Sequence, residues 1–224
     1  MMPVHSGYLV LILVLAWTCP LALAQEAADK PAPKVGDRWV FDQTLKAAPG
    51  GDSSTRRSFQ VAEVLPDRIT MVGGNGQSFQ FDASLNPIDP KGAEYAVTAL
   101  KFPLSVGSEW KYTARAGENG RDERSGTYKV AAFEAVTVPA GTFDCFRVDG
   151  EWQMIGLSFN SKVFTVRGRE KIWYCPKINI YAKRSNDFTW ASYGSTTREE
   201  RLSELWRFFP AGSQRRPGGT QLSP

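Results

Sequence analysis

Val136-Thr137-Val138-Pro139-Ala140-Gly141-Thr142-Phe143-Asp144-Cys145-Phe146-Arg147-Val148 reads as strand, tight turn, strand. Pro139 removes an amide donor at the corner and Gly141 supplies the backbone freedom needed to turn there. Further on, Ile172-Trp173-Tyr174-Cys175-Pro176 ends another strand at its proline, and Ile178 to Lys183 opens the next. Outward from this segment the apolar spacing is mostly two: Trp39 with Phe41, Phe59 with Val61, Ile69 with Met71, Phe79 with Phe81 and Trp110 with Tyr112. That is the pattern of strands with one buried face. Turn signals such as Pro66-Asp67, Gly73-Gly74-Asn75-Gly76, Asn86-Pro87 and Glu118-Asn119-Gly120 separate the runs. The spacing predicts a mainly β, antiparallel protein of roughly ten to twelve short strands.

One stretch reads two ways. Leu202, Leu205, Trp206 and Phe209 fall at i, i+3, i+4 and i+7, a helical spacing, whereas the Thr-rich start and aromatic end of 198–209 suit a strand. The strand is the favoured reading. The chain also echoes itself. Val35-Gly36-Asp37-Arg38-Trp39-Val40-Phe41 returns as Val106-Gly107-Ser108-Glu109-Trp110-Lys111-Tyr112, both V-G-x-x-W-x-aromatic. Each glycine turns the chain into a strand and each tryptophan closes one end of a core, which implies two related half-sheets. The alternative is a chance likeness between two strand beginnings.

The N-terminus carries the compartment signal. Leu9 to Ala16 is an uninterrupted apolar run, followed by Ala22-Leu23-Ala24, the small-x-small pattern of a signal-peptidase site. Residues 1–24 are read as a signal peptide, so the protein touches the membrane only before cleavage and is expected in the periplasm. The run is too short and too broken by Thr18 and Pro20 to span a bilayer. Lipoprotein anchoring at Cys19 is the lesser alternative, because Trp17 and Thr18 are bulky where such a site needs small residues. Cleavage would remove the sole histidine, His5, and leave Cys145 and Cys175. Residues 25–34 read as a flexible lead, 35–103 as an N-terminal β half, 104–210 as a C-terminal β half and 211–224 as a disordered tail. The net charge of +4 is scattered among acidic residues. That reads as a solvated surface, and an exported protein is not expected to meet nucleic acid.

The pairing of VPAGTF with a downstream WYxP resembles a group of bacterial periplasmic proteins and lipoproteins known mainly as a domain of unknown function. The resemblance covers about Leu104 to Pro210. It implies a curved antiparallel half-barrel of the kind seen in the Lol lipoprotein carriers, with a concave apolar face. Gly36, Trp39, Gly107, Trp110, Pro139, Gly141, Trp173 and Tyr174 are turn and core residues on this reading, and bear on fold more than on function.

Little in the chain suggests catalysis. Nucleophilic chemistry needs a base beside the nucleophile, and no histidine survives processing. Two cysteines in an exported chain predict a Cys145–Cys175 disulfide, with reactive thiols as the alternative. No cofactor motif and no metal site is expected: the cysteines lack paired spacing, and Asp82, Asp89 and Glu94 do not form a regular ligand loop. Paired carboxylates drawn from Glu109, Glu134, Glu151 and Glu170 remain the histidine-free route to hydrolysis. The aromatics fill a core or line a groove. Trp152, Met154, Leu157 and Phe159 break clean alternation and form the candidate ligand face. The expected function is a non-catalytic periplasmic binding or envelope-accessory protein for a lipid, lipoprotein or other hydrophobic partner. A protein–protein scaffold is the first alternative and a carboxylate-dependent hydrolase the second.

Overall fold

The computed structural model describes residues 27–47, 51–116, 120–157, 163–192 and 195–213. The expected signal peptide with Cys19, the residue Phe159 and all but the start of the expected tail lie outside them. Ten strands form: β1 (Arg38–Ala47), β2 (Ser53–Val64), β3 (Arg68–Gly73), β4 (Ser78–Asp82), β5 (Glu109–Ala116), β6 (Asp122–Val138), β7 (Gly141–Leu157), β8 (Val163–Cys175), β9 (Ile180–Ser192) and β10 (Ser195–Phe209). They make one antiparallel sheet in the order β4-β3-β2-β1-β10-β9-β8-β7-β6-β5. The sheet is curved and does not close, so β4 and β5 are its edges.

The chain meanders from β1 out to one edge, crosses over through residues 83–108 and re-enters at the other edge. It then meanders back until β10 pairs with β1. The crossover packs onto the inner face of the sheet, burying Ala99, Leu100 and Leu104 against Trp110, Tyr128, Phe146, Val148, Ile172 and Tyr174. A second cluster joins Trp39, Phe41, Val61, Ile69, Met71 and Leu205 to Val136, Val138, Ile178 and Ile180. Leu85 and Tyr181 touch both clusters. Residues 27–34, within the segment read as a lead, run beside the crossover. Ala28 exchanges both backbone hydrogen bonds with Leu104 at 2.9 Å, and Pro31 and Pro33 are buried.

The two halves belong to one sheet, yet the V-G-x-x-W segments that open them match in detail. Gly36 and Gly107 have φ of +97° and +93°, a region that disfavours any side chain. The Gly36 amide donates to the Val61 carbonyl and the Val61 amide to the Asp37 carbonyl; Gly107, Val130 and Ser108 repeat the pattern. Both tryptophans are buried. Each indole N–H donates to a distant carbonyl: Trp39 to Ile178 at 3.1 Å and Trp110 to Thr98 at 2.9 Å.

The ambiguous segment is strand β10, held between β1 and β9. Its helical spacing has a local cause. Val40 pairs with Arg207 but Phe41 pairs with Leu205, so Trp206 is an extra residue in a β-bulge and shifts the alternation by one. Pro139 and Ala140 form a two-residue turn between β6 and β7. Cys145 and Cys175 are bridged across β7 and β8, with Cα atoms 4.1 Å apart.

Candidate functional site

Side-chain alternation sends apolar residues of the strands to the inner face, and the crossover does not fill all the space it covers. An apolar cavity of about 190 Å³ remains between β1–β4, β8, β9 and the crossover. Phe59, Met71, Phe79 and Ile180 supply its sheet side, and Leu85 and Leu100 supply its crossover side. The wall is aromatic because ring packs on ring: Phe59 meets Phe79 edge-on at 5.5 Å, and Phe41 meets Tyr181 at 4.9 Å. With about 15 Å³ needed for each water-sized group, the cavity has room for on the order of ten heavy atoms.

Asn86 holds the crossover over this space. Its buried amide donates to the Leu100 carbonyl at 2.8 Å and accepts from the Leu100 amide at 2.8 Å. The side chain thereby completes a backbone pairing that the irregular segment lacks. Asp82 accepts from the Asn86 amide and side chain and from the Ser84 amide, and Asp89 accepts from the Lys91 amide. These acidic groups therefore cap turns. Among the described residues no group of three or more His, Cys, Asp or Glu side chains is placed to hold a metal.

Arg184 is the one charged residue on the cavity wall among the described residues. Its guanidinium meets Glu170 Oε1 at 2.7 Å, and Glu170 Oε2 accepts from the Tyr128 hydroxyl at 2.8 Å. The Glu170 carboxylate is almost fully buried, whereas the Arg184 side chain keeps 38% of its surface open. Burial, and then the Glu170 charge, push the Tyr128 phenol far above its ordinary range. Beyond Arg184 the inner face turns polar. Asn186 and Ser203 stand on β9 and β10, opposite Arg201 and Arg184 respectively.

The sheet end that carries this polar zone is lined with rings lying flat on glycines. A Cβ at Gly126 would run into the Tyr112 ring, one at Gly150 into the Tyr128 ring and one at Gly168 into the Trp152 ring. Gly126-x-Tyr128 and Gly150-x-Trp152 are the sequence trace of this ladder. Trp152, from the expected ligand face, is the last of the three rings and lies 6.1 Å from Phe188. Met154 is half-buried one cross-strand pair further on, opposite Arg124. Leu157 ends β7. Ile155 faces away and is exposed.

The four candidate acid–base carboxylates have separate duties. Glu134 accepts from Arg147 and from the Trp173 indole, Glu151 pairs with Arg169, Glu170 is held as above, and Glu109 starts the edge strand β5. A wider groove of about 830 Å³ crosses β5–β10, with Tyr112 and Trp152 also in its lining and most of its side chains on the opposite face. Lys111, Thr127, Glu151, Arg167, Arg169 and Arg198 line it, so it is polar and open where the inner cavity is apolar and covered.

No family model matches the chain, and no curated protein matches it. Similar solved structures include a Bacteroides fragilis protein described as exported and of YmcC-like fold, 16% identical, covering 81% of this chain and 99% of that one with a TM-score of 0.42. A Parabacteroides distasonis protein described as a lipoprotein is 17% identical, with the same coverage of 81% and 99% and a TM-score of 0.44. A LolA-superfamily protein from Nitrosomonas europaea is 9% identical, covering 84% of this chain and 90% of that one with a TM-score of 0.24. The similarity is remote in each case. Among the described residues no helix is long and apolar enough to cross a membrane.

Proposed function

We propose that this chain is an exported, non-catalytic binding protein of the cell envelope, which holds a hydrophobic group between the crossover and the inner face of its sheet. The observation that carries the reading is the covered apolar cavity ringed by Phe59, Met71, Phe79, Ile180, Leu85 and Leu100. A well-packed core leaves few voids larger than a water molecule, so a cavity of this size with an apolar lining is suited to an apolar guest. The Ala22-Leu23-Ala24 site and the Cys145–Cys175 bridge support an oxidising destination.

Calorimetric titration of the folded protein with 1-octanol tests this reading. The expected result is saturable binding at one site. Ala99→Phe, which fills the cavity from the crossover side, should weaken it at least tenfold with little change in melting temperature. Absence of saturable binding in the parent, or equal binding by the filled variant, would overturn the reading.

A further inference from the structure

Among the described residues, seven side-chain polar atoms are buried without a geometrically formed hydrogen bond, and five of them belong to the half of the sheet built from β5–β10. They are Tyr112 Oη, Arg124 Nε, Trp152 Nε1, Asn186 Oδ1 and Ser203 Oγ, from β5, β6, β7, β9 and β10. Tyr112, Gly126 and Trp152 follow one cross-strand row that continues through Gly168 to Phe188, while Asn186 and Ser203 lie on other rows, opposite Arg201 and Arg184. Tyr112 and Ser203 are more than nine-tenths buried and have polar neighbours of their own, Arg124 and Tyr128 beside the Tyr112 phenol and Tyr181 beside Ser203. The set is rich in donors, since the arginine and indole N–H groups can only donate and the two hydroxyls can do so. Leaving such groups unpaired costs free energy, so a ligand rich in acceptors has a built reception there.

The local charge has the same sense. Arg184 is neutralised by Glu170, and Arg201 by Glu199 at 3.0 Å. Arg124 has no carboxylate within ion-pair distance among the described residues; its guanidinium lies 4.1 Å from the centre of the Trp152 ring. Arg201 lies 5.0 Å from the centre of the neighbouring Phe188 ring. Stacking on rings leaves the edges of both guanidinium groups able to donate, the geometry that suits carboxylate or phosphate oxygens.

We infer that the ligand is an amphiphile with an acidic head, a phosphate or carboxylate received by Arg124, Trp152 and Arg201 along the Trp152–Phe188 ring pair, whose tail enters the cavity past Arg184. This inference rests on the cavity reading and adds the chemistry of the head to it. The test compares octyl phosphate, 1-octanol and inorganic phosphate by calorimetric titration, on the parent and on Arg124→Gln and Arg201→Gln, with Arg56→Gln as a control on a remote ion pair. Octyl phosphate should bind at least tenfold more tightly than 1-octanol. Arg124→Gln should remove most of that preference while leaving 1-octanol affinity and melting temperature near the parent's. Equal affinity for octyl phosphate and 1-octanol, or a preference that survives in both inner-face variants, would overturn the inference and leave the cavity reading standing. Failure of both octyl compounds to bind would remove the cavity reading and the inference with it. Inorganic phosphate binding as tightly as octyl phosphate would show a free-oxyanion site and contradict the amphiphile.

Discussion

Asn86 does more for the site than any residue whose type announces chemistry. Its carboxamide replaces a missing strand pairing at Leu100, and without it the Leu100 amide and carbonyl would be buried without partners. Each such loss is worth roughly 1–3 kcal/mol, so Asn86→Ala should lower unfolding free energy by about 2 to 4 kcal/mol in urea titration. A change within experimental error would show that the crossover is held by apolar packing alone. In sequence, Asn86-Pro87 carries only a turn signal, because an asparagine's long-range partner leaves no local trace. The glycine–ring ladder leaves a trace in Gly126-x-Tyr128 and Gly150-x-Trp152, yet its meaning depends on which strands become neighbours. Cys145 and Cys175 are easier to read, since compartment and count alone predict their bridge.

At the scale of elements, alternation and turn residues make most strands legible in the sequence, including the two that follow the V-G-x-x-W segments. What stays hidden is the bulge at Trp206, which imitates a helical period within β10, and the crossover, whose 83–108 segment has no periodicity to mark it as a covering layer. The paired segments carry a prediction of their own. Trp39 and Trp110 are both buried and both hydrogen-bonded to a carbonyl in another segment of the chain, so each should act on stability. Replacing either by alanine should cost on the order of 3 to 5 kcal/mol, seen as similar drops in melting temperature. Two variants that melt like the parent, or one alone that falls, would break the equivalence of the two V-G-x-x-W segments.

For the whole molecule, one sheet wrapped over a crossover explains why its phenols are buried together. Burial raises Tyr112, Tyr128 and Tyr174, and the Glu170 charge adds to the rise at Tyr128. An unfolded tyrosine ionises near pH 10, while these stay neutral in the fold. The folded state then holds more protons above that pH. Stability from these groups is therefore full below about pH 10 and is lost as pH rises toward their folded values, by about 1.4 kcal/mol per pH unit for each tyrosine. Urea midpoints measured from pH 9 to 11 should fall, and Tyr128→Phe should remove one tyrosine's share of the slope. A midpoint indifferent to pH in this range would contradict the burial. The chain's antiparallel, mainly β character is fully legible in sequence, but the division of its inner face into an apolar cavity and a donor-rich zone is not. That division depends on register across the whole ten-stranded sheet, which no single segment encodes.

A crystal structure of the protein grown with 1-bromooctane would show whether an apolar guest occupies the space between the crossover and the sheet. An anomalous bromine signal is expected within the space bounded by Phe59, Met71, Phe79 and Ile180. A signal confined to the outer groove beside Lys111 and Arg167, or no ordered bromine at all at saturating ligand, would contradict it.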